Sequence, residues 1–235
     1  QDALDEMGLP YPASIESSTD PTQRQCKRIL QASAEFLRSQ RIWPQLKKQG
    51  SITLVDARYQ YPLPSDYYSA LVDTQYHDTN AWRLIGPITD AEWVDRTKGV
   101  AGGYQTAFRI FGPDLNPSSA AGQIKIDPVP TASEAGQTLS YEYLVKSLYV
   151  KSDYSTYYET VNDDTDLCLF DSDLMTAEFK WRYLRSKKKE YEQEFNDARA
   201  ILATAMRRLE GSKIGSMLNK STGPRYNVPP GGWTF

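Results

Sequence analysis

Few residues in this chain have the type and spacing that chemistry requires. Its one histidine, His77, lies in a Tyr-His-Asp segment beside a turn, with no Ser or Cys motif to serve. It reads as a surface or strand-end residue rather than a catalytic base. No glycine-rich phosphate loop, Cys-x-x-Cys pair or His-x-x-x-His spacing occurs. Cys26 and Cys168 fall on a helix face and in an apolar run, and are expected to be buried reduced thiols. Asp163-Asp164-Thr165-Asp166 lacks the glycine and closing Glu of a calcium loop, so it reads as a solvated loop. Carboxylates are plentiful, but no pair can be placed across a cleft, which leaves a glycosidase unsupported. The expectation is a non-enzyme with no catalytic, cofactor-binding or metal-binding residues.

Two groups of residues suit binding instead. Lys180, Arg182, Arg185, Lys187, Lys188 and Lys189 could touch phosphate, yet Glu178, Glu190, Glu192 and Glu194 compensate them. Lys187, Lys188 and Lys189 therefore read as an ion-paired, solvated face that makes at most transient phosphate contacts. The second group closes the chain. Residues 211–235 contain no acid but carry Arg225, Tyr226, Pro229, Trp233 and Phe235 among glycine and proline. Such a segment cannot build its own core and is expected to lack fixed structure alone. Aromatics and Arg on an extended arm are interface-anchoring types. At roughly 3.3 Å per residue the arm would reach about 80 Å, enough to lie across another subunit.

Those residues need a scaffold, and the clearest part of it runs from Leu174 to Leu209. Leu174, Ala177, Trp181, Leu184, Tyr191, Phe195, Ala198, Leu202, Ala205 and Leu209 recur in steps of three and four, interrupted only by Lys188. That is one side of an α-helix, or of two helices broken near Lys188. Asp171 or Ser172 can cap its start and Gly211 its end. An earlier helix opens at Asp20-Pro21-Thr22-Gln23 and carries Cys26, Ile29, Leu30, Ser33, Phe36 and Leu37 on one face before Pro44 stops it. Gln1 to Met7 reads as the end of a further helix whose beginning is missing. From Gly50 the period shifts towards two. Strands are expected at 52–54, 59–63, 68–76, 82–85, 105–111, 123–127 and 138–145, with a short capped helix from Thr89 to Gly99.

The fold class expected from this pattern is α+β. Both ends of the chain form an antiparallel helical bundle, with a small antiparallel β domain inserted and an extended C-terminal arm. The divisions are 1–50 and 172–210 for the bundle, 51–150 for the insert, 151–171 for an acidic loop and 211–235 for the arm. The insert should make few contacts with the helix interior. At 235 residues the chain can bury roughly 70–75% of its unfolded surface. A net charge of −3 argues against a constitutive nucleic-acid binder. No apolar run approaches a membrane span, and no secretory signal is visible.

Several short motifs occur in a telling order. Gly8-Leu9-Pro10-Tyr11-Pro12 is followed by Ser18-Thr19-Asp20-Pro21 and a helix ending near Ile42-Trp43-Pro44. Next come Tyr61-Pro62-Leu63-Pro64-Ser65-Asp66-Tyr67, Trp82-Arg83-Leu84-Ile85-Gly86-Pro87, Glu92-Trp93 and Phe179-Lys180-Trp181-Arg182-Tyr183-Leu184-Arg185. Across most of residues 1–210 the chain resembles the head-to-tail adaptor proteins of short-tailed, podovirus-type phages. Where that family often has glycine, this chain has Lys188-Lys189. The resemblance implies a helical bundle with an inserted β region and a ring, commonly of twelve copies, below the portal and above the tail nozzle. It implies a head seal and a channel for passing double-stranded DNA without sequence specificity. The location implied is the head-tail junction of the virion, after assembly in the host cytoplasm, with no membrane. The arm would then grip portal or a neighbouring subunit. The competing reading is a tail-associated receptor- or carbohydrate-binding module, built on the Tyr- and Trp-rich strands.

Overall fold

A computed structural model describes residues 20–99, 105–112 and 122–210. The expected helix end at Gln1–Met7, the Gly211 stop and the arm 211–235 lie outside the described residues. Helix α1 (Pro21–Gln40) starts as its sequence requires. Pro21 occupies the first turn, where a missing N–H costs nothing, and the Asp20 carboxylate accepts the Thr22 N–H at 2.8 Å. The helix stops short of Pro44, and Trp43 turns into the core. Its indole N–H donates to the Leu37 carbonyl at 2.6 Å, and its ring meets Phe170 edge-on at 5.4 Å.

The chain then enters β1 (Lys47–Thr53), which pairs antiparallel along its whole length with β8 (Thr138–Val145), from Lys47↔Leu144 to Thr53↔Thr138. The alternating Leu139, Tyr141, Tyr143 and Val145 are all buried, as their period of two requires. Gly50 faces Tyr141, and a Cβ there would come 2.6 Å from the ring. Only glycine lets the ring lie across the neighbouring strand. The other edge of β8 is shared by β3 (Tyr67–Ala70) and β4 (Tyr76–His77), and β5 (Trp82–Arg83) completes a five-stranded sheet. A second sheet runs β2 (Gln60–Pro62), β7 (Gln123–Asp127), β6 (Ala107–Phe111). Helix α2 (Asp90–Thr97) begins with a capping box between Thr89 and Glu92. Its Trp93 meets Phe111 edge-on at 6.3 Å, and its Arg96 pairs with Asp127 at 2.9 Å. A third sheet runs β10 (Tyr157–Tyr158), β9 (Tyr149–Val150), β11 (Leu167–Cys168), and the described chain ends with α3 (Ser172–Ser186) and α4 (Glu192–Glu210).

The expected fold class needs correction. Among the described residues there are four α-helices but eleven strands in three antiparallel sheets. This is a strand-rich α+β fold, not an antiparallel helical bundle carrying a small inserted β domain. Nor is the β part aloof from the helices. Ala34 and Leu37 of α1, Leu174 and Met175 of α3 and Leu202 of α4 share one buried cluster with Ile52, Phe108, Tyr143 and Tyr149 of the sheets. A helical stripe reports that a helix needs an apolar partner, and the buried cluster it joins here includes sheet residues as well as helices. The segment expected as an acidic loop, 151–171, contributes β10 and β11 to the third sheet through backbone pairing with β9.

Within the first sheet, Asp66 joins a strand to its neighbour: its carboxylate takes the Lys48 ammonium at 2.7 Å and the Tyr143 hydroxyl at 2.9 Å. Burial alone would raise this carboxyl, but the Lys48 and Tyr143 hydrogen bonds outweigh it and hold it below its ordinary value. A depressed carboxylate stabilises the fold above its unfolded-state pKa, about 4, and loses that contribution as pH falls through the folded value. Asp66→Asn should therefore lower the melting temperature at pH 7, with the difference from the unchanged chain closing in acid. Trp43→Ala should cost about 3–5 kcal/mol in denaturant unfolding.

Candidate partner-binding face

The long apolar stripe resolves into two helices. Trp181 near the end of α3 meets Phe195 near the start of α4, edge-on at 5.1 Å. Asp171 and Leu174, at the other end of α3, share a cleft with Thr204 and Arg208 near the end of α4. The two helices thus form an antiparallel hairpin. Leu174, Trp181, Ala198 and Leu202 of the stripe are buried, Leu184 and Phe195 half-buried, and Leu209 exposed.

The turn of the hairpin is the lysine run. Lys189 N–H donates to the Leu184 carbonyl and Lys188 N–H to that of Arg185, both at 3.1 Å, while Lys188 has a φ of +55°. This is a Schellman stop with lysine in the left-handed position that glycine usually fills. Three cations at the negative end of the α3 dipole favour the break electrostatically. Lys187, Lys188 and Lys189 are all exposed, and Lys187 also reaches Gln25 of α1, Nζ to Oε1 at 2.8 Å.

Beside this turn, α1 and α3 enclose a shallow groove of about 410 Å³ lined by Arg28, Ile29, Ala32, Trp181, Arg182 and Arg185. One of its arginines, Arg182, lies against rings, as does Arg199 of the adjoining cleft. The Arg182 guanidinium sits 4.8 Å from Phe36 and 4.6 Å from Trp181, and Arg199 sits 4.8 Å from the same Phe36. Arg182 Nε and the Trp181 indole N–H both donate to Glu178 Oε2, at 3.3 and 2.9 Å. Glu178 is fully buried, and its second oxygen has no hydrogen-bond partner among the described residues. Buried carboxylates are held by such charge-assisted donors. Charge balance alone had singled out the lysines. The arginines gain their meaning from aromatic neighbours, for which Phe195-x-x-x-Arg199 was the local signal and Phe36 a distant one.

The other reactive types are occupied structurally. His77 is buried, not on the surface: its Nδ1 accepts the Asn80 backbone N–H at 3.3 Å, and its ring packs edge-on against Trp82. Both cysteines are free thiols. Burial pushes Cys26 up, against the opposing Lys187 charge, and pushes Cys168 up to about 11. Thiols so raised are poor nucleophiles. In the acidic segment, Asp163 accepts from Thr165 N–H at 2.9 Å and Asp166 accepts from Asn162 N–H at 2.8 Å. Among the described residues no group of three or more His, Cys, Asp or Glu could hold a metal ion. Arg225, Tyr226, Pro229, Trp233 and Phe235 lie outside the described residues.

The polar groups of this scaffold serve caps and turns, and its open helix face presents the Arg182 guanidinium on aromatic rings. Comparison with known families gives the assignment. The model of the SU10 adaptor protein family matches residues 8–229, and the chain belongs to that family. It is a structural adaptor of a phage particle, acting with other head-tail proteins, and the family is not an enzyme class. A comparison with curated proteins gives no match. No described helix is long and apolar enough to cross a membrane.

Two stability changes follow from the hairpin. Lys188→Gly should raise unfolding free energy by about 1 kcal/mol, by relieving the left-handed strain of a Cβ residue. Trp181→Ala should lower it by about 3–5 kcal/mol. Denaturant titration of each variant measures both.

Proposed function

We propose that the protein forms a closed ring, of twelve copies by resemblance to podovirus-type adaptors, between portal and tail nozzle. In that position it seals the head and lines the path by which DNA leaves. The observation that carries this reading is the adaptor-family match over residues 8–229, nearly the whole chain. The charge is compatible with a conduit. Each phosphate that a wall neutralises strengthens DNA binding and makes it salt-sensitive, and a chain with net charge −3 avoids such a grip. Lys188 and Lys189, exposed at the hairpin turn, are the residues assigned transient phosphate contacts. Lys187 is held towards Gln25.

Residues 211–235 act as the gripping arm in this reading. Tyr226, Trp233 and Phe235 fill pockets on portal or a neighbouring subunit, Arg225 meets an acidic patch, and Pro229 pre-sets an extended path. Each anchor is worth about 2 kcal/mol or more, multiplied around a ring by effective concentration. Deleting residues 223–235 should leave the melting transition unchanged and abolish a stable complex with portal in size-exclusion chromatography. Normal attachment by the shortened chain would remove the arm from the mechanism.

A further inference from the structure

The arginine groove has a counterpart on the same molecule. On the third sheet, Tyr157 and Leu167 are the cross-strand partners of Val150 on either side, so the three share one face. Val150 is buried, but Tyr157 is 55% exposed and Leu167 41% exposed, with Tyr154 at 66% in the adjoining turn. The same segment carries the exposed acids Asp153, Glu159, Asp163 and Asp164, of which Asp153 is paired with Lys151 at 3.2 Å. Exposed apolar side chains beside acids suit a docking surface.

The two surfaces occupy different flanks of α1. Gln25, Ile29, Ala32 and Phe36 share the flank that faces the groove. Gln31 and Arg38 share the other, donating to the Glu159 carbonyl at 3.1 Å and the Lys146 carbonyl at 2.9 Å. The acidic patch thus begins on one side of the helix and the arginine groove on the other. Two complementary patches on opposite flanks of one helix are not set side by side for a two-fold contact. They suit a head-to-tail one, which closes into a ring when the rotation permits.

We propose that the groove between α1 and α3 of one copy receives the acidic, tyrosine-bearing face of the third sheet of the next copy. This rests on the reading of the protein as a ring-forming adaptor and specifies its copy-to-copy contact. Arg28 and Arg185, both exposed, meet Glu159 and Asp164, while Tyr157 and Leu167 cover Ile29, Ala32 and Trp181. The groove carries few opposing acids: Glu178 is buried and held by Arg182, and Glu192 lines the adjoining cleft. A DNA backbone would satisfy the guanidiniums but offers no apolar surface for Ile29 and Ala32. It would also leave the exposed tyrosine patch uncovered. Aromatic residues with Arg are the composition of protein–protein anchors.

The test reverses charge on each surface separately, as R28E/R185E and as E159K/D164K, in the full chain. Thermal melting checks the fold, and mass photometry measures assembly alone and with portal. Each variant should assemble about tenfold more weakly, since like charges then face each other. An equimolar mixture of the two should recover assembly, because each reversed groove then meets a reversed patch and each native groove a native one. A misfolded variant would not be rescued. Unchanged assembly by either variant, or a loss that mixing does not restore, would overturn the contact. Loss of DNA retention with assembly intact would overturn it too, by making the groove a phosphate surface. If the unchanged chain never associates, with or without portal, the ring reading itself falls; if it does and the reversals are silent, only the contact falls.

Discussion

Trp43 joins parts of the chain that are remote in sequence, and the rest of the structure depends on that junction. It stands where α1 stops and β1 begins. Its indole nitrogen is tied back to the last turns of α1, and its ring edge meets Phe170, which leads into α3. The first helix, the main sheet and the helical hairpin are thereby fixed to one another. The bond also settles the only polar atom of a 3% exposed side chain, which would be expensive to leave unmade in the core. With this corner held, β1 enters in register with β8, and β8 offers its second edge to β3 and β4. The strands are then a wall of the core against which the helices lie.

The helix face that remains open inherits its character from the same arrangement. Because α1 is pinned at its C-terminal end, its other end lies beside the turn between α3 and α4. Gln25 and Arg28 there come next to Arg182, Arg185 and the lysine run. Stacking on Phe36 and Trp181 orders the Arg182 guanidinium before any partner arrives. A planar cation already immobilised against a ring loses less freedom on binding than a free lysine. Lys188 and Lys189 serve the turn first, as a left-handed stop and a charge at the helix end.

Much of this was legible in the sequence because it is written locally. The Asp20-Pro21 start, the Thr89–Glu92 capping box and the alternation from Leu139 to Val145 each need only a few neighbouring residues to be recognised. What escaped depends on partners far along the chain. β10 and β11 are two-residue strands in an acidic, exposed stretch, and only their backbone bonds to β9 make them strands. His77 has no apolar run to announce its burial, which comes from β8 on one side and β5 on the other. The shared core escaped because a periodic stripe does not say what covers it. In the candidate face, the lysines stood out as a run, whereas Arg28 and Phe36 gained their roles from a helix about 150 residues away.

The central claim is that this chain closes into a ring on portal, and electron microscopy of the purified protein mixed with portal tests it most directly. The account predicts end-on views of a closed, rotationally symmetric ring coaxial with portal. Density for the α1–α3 groove and the third sheet of adjacent copies should meet at every subunit boundary. Portal rings that remain bare in the presence of excess protein, with the chain left as monomers in the background, would contradict it.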